Sequence, residues 1–445
     1  MSNFKLINGN MLEELDKLDE NSIDSIVTDP PYELNFMGKG WDNAGVSFNK
    51  ETWEKCLRVL KPGGHLLAFG GSRTAHRIAC AIEDAGFEIR DTIMWLYGSG
   101  FPKSMNIGLE IDKRNGVESP IVDKGKSGVS SRAYQSEETT TAGNYAIREA
   151  QNKWKGWGTQ LKPSYEPIIV ARKPVDGSII ENIEKYGVGG INIDECRVEH
   201  NEPIKTTQRK GIQNYGDTNW NFDTTKNNLA SASPDGRFPA NTILTYDETN
   251  KDEVIGGFPY TNGEIGRAGR KSGGEYDASS YKVGVVTDYG FKDEGSAARY
   301  FYCAKASVKD RDEGLDYLIP KKVNDGRNTP IDNPFQRGET LRKNIHPTVK
   351  PVELMQYLVR LVTPNGGTIL DPFMGSGSTG KAVMYENNEK DKNYTFIGIE
   401  LEKEYYEIAN ARISYANGDI VIKELDENNN VVTKTKHIEK QKRLF

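Results

Sequence analysis

Two consecutive prolines after a mainly apolar stretch constrain this chain more than any other sequence feature. Residues 23–27 are mainly apolar, and Thr-Asp-Pro-Pro-Tyr follows directly at residues 28–32. A short apolar run bounded by a turn signal is typical of a buried strand. Proline lacks the backbone donor that a sheet requires, so the strand must end here in a stiff corner. Open α/β sheets bind ligands beyond the carboxyl ends of their strands, so the corner is predicted to lie at a binding site.

The corner carries three groups that suit a planar ring with an amino substituent. Asp29 provides a carboxylate, Pro30 a backbone carbonyl and Tyr32 an aromatic face. The carboxylate and the carbonyl can accept the two amine hydrogens while the tyrosine stacks on the ring. Taken alone, the segment fits equally well a strand-end turn with an exposed aspartate and a tyrosine packed in the core.

A glycine-rich turn follows another apolar run near the other end of the chain. Residues 369–379 read Ile-Leu-Asp-Pro-Phe-Met-Gly-Ser-Gly-Ser-Thr. The two glycines allow a ligand to approach the backbone, and the Ser-Thr pair opens the next helix at its donor-rich end. Glu400 ends the following strand, about 20 residues beyond the turn, where a carboxylate can bind both hydroxyls of a ribose. This pattern predicts a nucleoside ligand.

The same turn also matches most of a phosphate-binding loop. The glycines lead to Gly380 and Lys381, but Ala382 stands where that loop needs a hydroxyl for Mg²⁺. The Asp-Pro-Phe that precedes the turn would crowd the strand end. A nucleotide-hydrolysing enzyme is therefore the weakest interpretation of this segment.

Together the D-P-P-Y corner and the D-P-F-x-G-x-G turn resemble the amino-methyltransferases of DNA, which methylate adenine N6 or cytosine N4. With the corner before the turn, the order resembles the circularly permuted β group of that family. The resemblance covers roughly residues 4–100, 160–175 and 340–415. An H-x-T-x-K-P segment at residues 346–351 and a β-strand expected over 163–172 are also similar to the family.

The resemblance implies a role for each matching residue. Those that would hold the target amine are Asp29, Pro30, Pro31 and Tyr32. Those that would bind S-adenosylmethionine are Asn8, Asn10, Thr348, Lys350, Asp371, Phe373, Gly375, Gly377, Ser378, Thr379 and Glu400. Asn10 replaces the aspartate that the family usually has, and Lys350 is expected to meet the carboxylate of the cofactor. No metal site is implied, since no second His or Cys stands at ligand spacing from His346.

The implied activity is methyl transfer from S-adenosylmethionine to adenine N6 of a base flipped out of double-stranded DNA. Aspartate at the first corner position is commoner in adenine enzymes of the family, but cytosine N4 remains an alternative. An RNA or protein methyltransferase and a non-catalytic DNA-binding module are further alternatives. The chain has no Pro-Cys pair, so a covalent C5-cytosine mechanism is not indicated.

The expected fold is a doubly wound, Rossmann-like α/β sheet with an inserted mixed α+β domain. We expect the catalytic domain to comprise residues 1–175, with a mobile loop about 98–162, and residues 341–416. Residues 176–340 occupy the slot of the target-recognition domain, and 417–445 form a polar hairpin and a basic tail. The strand after the cofactor turn is expected to lie beside the strand before the corner.

Composition fits a soluble globular protein that binds no membrane. Hydrophobic residues make up 36% and charged residues 27% of the 445, with a net charge of −6. Because phosphate binding needs basic surface, DNA must meet local patches, for which the candidates are Arg267, Arg270, Lys271, Lys434, Lys436, Lys440, Lys442 and Arg443. Four scattered cysteines predict reduced thiols and a cytoplasmic protein, bacterial or phage-encoded by its resemblance. The resemblance is compatible with a homodimer and leaves a restriction endonuclease partner open.

One tryptophan pair in the middle of the chain has two interpretations. Trp154 and Trp157 lie in a glycine-rich context after the irregular stretch 124–144. They could stack on nucleic acid, but packing into a core is the expectation.

Overall fold

The computed structural model describes most of the two ends of the chain and parts of its middle. The described residues are 3–34, 42, 44–97, 104–126, 144–198, 236–246, 258–262, 294–305, 309–316, 318–323, 340–425 and 431–437. The candidate basic residues 267, 270, 271, 440, 442 and 443 lie outside them.

A nine-stranded sheet forms the centre of the described fold. Its strands in spatial order are β1 (Phe4–Asn8), β15 (Thr395–Glu400), β14 (Thr368–Asp371), β2 (Ile23–Thr28), β3 (Leu60–Phe69), β7 (Tyr165–Arg172), β4 (Glu88–Tyr97), β8 (Thr242–Tyr246) and β11 (Tyr302–Lys305). All neighbours pair in parallel except β7, which is antiparallel to both β3 and β4. This arrangement confirms the predicted Rossmann-like α/β class.

Helices cover both faces of the sheet. The helices on one face are α1 (Met11–Leu15), α2 (Lys50–Val59) and α3 (Ala75–Asp84), and those on the other are α7 (Val352–Val362), α8 (Ser378–Lys390) and α9 (Lys403–Asn417). Adjacent residues of each strand point to opposite faces, so Ile26 packs with the first group and Val27 with the second. Both residues are fully buried. The period of two thus separates the two larger hydrophobic clusters of the described residues, one on each face of the sheet.

Shorter elements lie outside the central sheet. In the part of the chain that the structure describes, four antiparallel pairs are β5 (Ile121–Lys126) with β6 (Asn144–Arg148), β9 (Tyr260–Asn262) with β10 (Glu294–Ser296), β12 (Lys321–Val323) with β13 (Thr340–Arg342), and β16 (Asp419–Leu425) with β17 (Val431–His437). The remaining α-helices are α4 (Ile107–Arg114), α5 (Ile179–Tyr186) and α6 (Lys309–Asp312).

The strand order corrects one expectation about the catalytic half. We expected the strand after the cofactor turn, β15, to lie beside β2, but β14 pairs with β2 and β15 lies beyond it. The reason is the crossover through α8, which returns the chain on the far side of β14 from β2. The chain passes from β14 to β15 on one side and from β2 to its parallel neighbour β3 on the other, so β14 and β2 form the switch point of the doubly wound sheet.

Part of the middle of the chain belongs to the central sheet and not to a separate inserted domain. Strands β8 and β11 lie within the range 176–340 yet extend the central sheet. The range 98–162, expected as one mobile loop, is not a single irregular loop, because its described part contains helix α4 and the β5–β6 hairpin. Its mobility stays a prediction. Local residue patterns missed these elements because they are short. The limits of a target-recognition domain remain a prediction.

Candidate active site

A cavity of about 1040 Å³ opens at the switch point and draws its walls from both ends of the chain. Tyr32 and Phe373, more than three hundred positions apart, both line it. The predicted site residues on its walls are Asn10, Asp29, Pro30, Pro31, Tyr32, Thr348, Lys350, Asp371, Phe373, Gly375, Ser378, Thr379 and Glu400. Asn8 and Gly377 do not line it.

Asp29 presents one carboxylate oxygen that lacks a donor. Its Oδ2 lies 2.5 Å from Nζ of Lys350, whereas its buried Oδ1 accepts no hydrogen bond from the residues that the structure describes. The neighbouring Tyr32 hydroxyl has a single proton, which it donates to Oε2 of Glu166 at 2.8 Å. A buried acceptor without a partner is costly, so this oxygen is suited to a donor that arrives with a ligand.

Burial and the neighbouring charges at the corner together raise the pKa of Asp29 above that of an ordinary carboxyl group. Burial raises its pKa, the ammonium of Lys350 opposes that rise, and the carboxylate of Glu166 adds to it. The net direction is upward. Burial also lowers the pKa of Lys350, but the two carboxylates outweigh burial and raise it, so the lysine stays charged.

Glu166 connects the corner to the middle of the sheet. Besides Tyr32, it accepts a hydrogen bond from the hydroxyl of Tyr97 at 3.3 Å and lies 3.5 Å from Nζ of Lys350. Burial, followed by the charges of Asp29 and Glu166, raises the pKa of Tyr32 well above its usual value. Sequence reasoning placed Glu166 in a strand but gave it no role. The only sequence signal was a carboxylate at the start of an otherwise apolar strand.

The H-x-T-x-K-P segment contributes a cation to the corner. The ammonium of Lys350 lies 5.3 Å from the ring centre of Tyr32 and 5.0 Å from that of Phe69, a cation–π arrangement. The lysine is therefore engaged at the corner, and its predicted contact with the cofactor carboxylate stays a prediction. Thr348 is exposed on the wall, and its backbone N–H lies 3.4 Å from Nδ1 of His346.

Asp371 ties the glycine turn to the strand that carries the corner. Its Oδ1 accepts from the hydroxyl of Thr28 at 2.6 Å and from the backbone of Phe373 at 3.2 Å. Its Oδ2 accepts from the hydroxyl of Thr379 at 2.6 Å. Burial raises the pKa of Asp371 to about 6. This carboxylate therefore uses its oxygens to join β2, β14 and α8.

The two positions of the turn favour glycine for different structural reasons. Gly375 has φ +53°, and a Cβ there would lie 2.9 Å from Nε2 of His346. Gly377 has φ +78° and packs against Ala409, which a Cβ would approach to 3.0 Å. Both positions therefore favour glycine, the first beside the cavity and the second against helix α9. Burial lowers the pKa of His346 to about 3, so its imidazole is neutral.

Glu400 is positioned by backbone donors at the end of β15. Its Oε2 accepts from the N–H of Gly375 at 2.7 Å and its Oε1 from that of Glu402 at 2.8 Å. Asn8 donates to the backbone carbonyls of Glu400 and Leu401, at 2.8 and 3.1 Å. Burial raises the pKa of Glu400 to about 7. Asn10 caps helix α1 by accepting from the N–H of Leu12.

A buried arginine supports the glycine turn from behind, and sequence reasoning missed it. Arg412 of α9 donates to the carbonyl and the hydroxyl of Ser376 and, at 2.8 Å, to the carbonyl of Asp310. Lys381, the residue that a phosphate-binding loop would aim at its ligand, is instead fully buried 2.8 Å from Glu313 and does not line the cavity. This geometry weighs against the phosphate-loop interpretation.

Within the described residues, no group of three or more His, Cys, Asp or Glu side chains is arranged to hold a metal ion. Among the helices that can be described, none has the length and apolar character needed to cross a membrane.

Comparison with known proteins places this site in a family. Type II methyltransferase M.HindIII of Haemophilus influenzae is 24% identical over 259 residues, which are 46% of this chain and 74% of that protein. Type II methyltransferase M.HpaI of Haemophilus parainfluenzae is 39% identical over 107 residues, but these span only 22% of this chain and 34% of that protein. The crystal structure of the M1.HpyAVI–SAM complex aligns with 92% of this chain and 98% of its own, at 15% identity and a TM-score of 0.35.

A model of the N6/N4 methyltransferase family, described as DNA methylase, matches residues 23–411. That range includes the Asp29 corner, the H-x-T-x-K-P segment and the glycine turn. The chain therefore belongs to the DNA methylase family of N6-adenine and N4-cytosine methyltransferases.

Proposed function

We propose that this protein transfers a methyl group from S-adenosylmethionine to N6 of adenine at a specific sequence in double-stranded DNA. The observation that carries the proposal is the buried Oδ1 of Asp29, which accepts no hydrogen bond from the described residues. Asp29 shares one cavity with Phe373 and Glu400. An amine acceptor and a nucleoside-binding wall thus lie in the same space.

The wall formed by the glycine turn fits S-adenosylmethionine. Each oxygen of Glu400 accepts one backbone hydrogen bond and keeps a lone pair for a ribose hydroxyl. Gly375 has no side chain, so the ligand can approach the backbone of the wall there. The ring of half-buried Phe373 can cover the nucleoside. Thr348 and Asn10 offer further polar groups at the edge. When bound, the cofactor supplies an electrophilic methyl group on its sulfonium.

The corner wall orients the target amine. Oδ1 of Asp29 accepts one amine hydrogen and the carbonyl of Pro30 accepts the other, which directs the nitrogen lone pair toward the cofactor wall. Tyr32 stacks on the base, and its hydroxyl is fixed by Glu166. Methyl transfer is then a direct displacement: the amine nitrogen takes the methyl group as the sulfur–methyl bond breaks, which leaves a neutral thioether, and the amine gives up one proton to the carboxylate of Asp29. The rate depends mainly on holding the two reactants in line.

The target base must leave the duplex before it can reach this cavity. Its amine is paired inside the double helix, so extrusion costs a few kcal/mol, which stacking on Tyr32 offsets in part. We also propose that a restriction endonuclease acts together with this protein, because both relatives described above are Type II methyltransferases.

Two experiments test the proposal. Sequencing that detects modified bases in DNA from expressing cells should show N6-methyladenine in one sequence context. N4-methylcytosine alone would replace the adenine assignment with the cytosine alternative. In vitro, transfer of labelled methyl groups should favour duplex DNA over RNA or protein and should be abolished in Asp29→Ala, and labelling of RNA or protein in preference to DNA would contradict the proposal.

A further inference from the structure

A short segment of residues 158–164 borders the mouth of the cavity and presents an apolar side chain to solvent. Thr159, Gln160, Leu161 and Lys162 all line the cavity, and Leu161 is 93% exposed. A single exposed leucine is common on protein surfaces and by itself indicates nothing. Leu161 is significant because it lies beside the opening through which a base must enter.

Hydrogen bonds fix this rim at both ends. The N–H of Thr159 donates to the hydroxyl of Ser104 at 2.9 Å, and the N–H of Met105 returns a bond to the hydroxyl of Thr159 at 3.0 Å. At the other end, the N–H of Tyr97 donates to the carbonyl of Ser164 at 2.9 Å. Leu161 therefore lies between two anchored points of the chain, with its side chain exposed to solvent.

Exposed aromatic and basic side chains lie close in sequence to the rim. Trp154 and Trp157 are 38% and 59% exposed and meet edge to face at 5.3 Å, so the expectation that they pack into a core is wrong. The ammonium of Lys153 lies 5.6 Å from the ring centre of Trp154, and Lys162 is exposed on the rim. Cations attract the phosphate backbone, and aromatic faces contact bases.

We propose that Leu161 enters the base stack of duplex DNA and fills the space that the extruded target base leaves. This inference rests on the proposed function, because it requires a base that leaves the helix. An apolar side chain inserted between bases restores contact on both neighbours and thereby opposes the return of the extruded base. The rim brings the leucine to the cavity mouth on an anchored backbone, so little ordering is needed when DNA binds.

The decisive comparison uses Leu161→Ala on two duplexes that carry the sequence found by modified-base sequencing. In one duplex the target base is paired, and in the other an abasic site lies opposite it, so that extrusion breaks no base pair. We expect kcat/KM of the variant to fall about tenfold on the paired duplex and to recover to near the wild-type value on the abasic one. Fluorescence of 2-aminopurine at the target position should fall in parallel on the paired duplex.

The controls separate this role from others. Leu161→Met should retain wild-type behaviour, and Ile319→Ala, at a residue 84% exposed that does not line the cavity, should change neither rate nor fluorescence. Unchanged rates for Leu161→Ala, or an equal loss on both duplexes, would overturn the inference. If the wild-type protein methylates neither duplex, the proposed function itself fails, which is a distinguishable outcome.

Discussion

The ammonium group of Lys350 lies 2.5 Å from Oδ2 of Asp29, although 321 residues separate them in the chain. The same group lies 3.5 Å from Glu166, and all three side chains are largely buried. One cation thus holds two carboxylates that arrive from different parts of the fold. The contact occupies one oxygen of Asp29, and the other oxygen is the one that accepts the target amine in the proposed function.

Replacing Lys350 by Met should shift the pH dependence of methyl transfer. The cation lowers the pKa of Asp29 against burial and Glu166, so its removal raises that pKa further. Because the ionised carboxylate is the better amine acceptor, the acid limb of the kcat/KM profile should move to higher pH, by about one unit. Lys343→Met is the matched control, since Lys343 pairs with Asp316 and does not line the cavity. An acid limb that stays in place would refute this role.

Two substitutions of Glu166 separate the effect of its charge from the effect of its hydrogen bond with Tyr32. Glu166→Gln keeps an acceptor for the Tyr32 hydroxyl but removes a charge that raises the pKa of Asp29, so activity should persist with an acid limb at lower pH. Glu166→Ala removes both, frees the Tyr32 ring and should lower kcat/KM about tenfold or more. Glu88→Gln, which alters a carboxylate paired with Arg172 elsewhere in the sheet, should match wild type in the same assay.

Much of the architecture follows from short motifs, because they lie where strands end. The prolines after β2 and the Asp-Pro at the end of β14 predict two strand ends that share one cavity, as the structure shows, although the predicted neighbour of β2 was β15 rather than β14. The error over β15 had a physical cause. Sequence periodicity predicts that a strand exists, but the direction of the α8 crossover decides which side of β14 it joins. Pairing order is a property of the whole sheet.

The supporting residues of the site could not be predicted in the same way. Glu166 acts through partners 69 and 134 residues away, and Arg412 acts through Ser376 at a separation of 36. Such contacts leave no local period or spacing in the sequence. The exposed Trp154 and Trp157 were misjudged for a related reason, since large aromatic side chains are buried more often than not.

Glu400 should make stability depend on pH. Burial raises its pKa from 4.5 to about 7, so the native state binds this proton more tightly than the unfolded state. The resulting stabilisation is complete below about pH 4.5 and is lost as pH rises through about 7, at most about 3 kcal/mol. Urea unfolding at several pH values should show a flatter profile for Glu400→Gln, whatever constant offset the substitution adds. Identical slopes for the two proteins would argue against the raised pKa.

The same carboxylate should make cofactor affinity depend on pH in the opposite direction. Ribose hydroxyls donate to the ionised form, so affinity for S-adenosylmethionine should weaken as pH falls below about 7, approaching tenfold per unit. Calorimetric titration with the cofactor alone measures this directly. In Glu400→Gln the affinity should be lower and nearly independent of pH. A wild-type affinity that does not change across this range would place the ribose away from Glu400.

Arg412→Met tests whether the glycine turn needs its buried support. The substitution leaves the carbonyls of Ser376 and Asp310 without donors, at about 1–3 kcal/mol each, and should weaken cofactor binding about tenfold although Arg412 does not line the cavity. Arg360→Met is the matched control, because Arg360 is also largely buried and pairs with Glu386 of α8 rather than with the turn. Both variants should lose stability in urea, but only Arg412→Met should lose affinity for S-adenosylmethionine. An equal loss of affinity in both would mean that general destabilisation, rather than support of the turn, accounts for the effect.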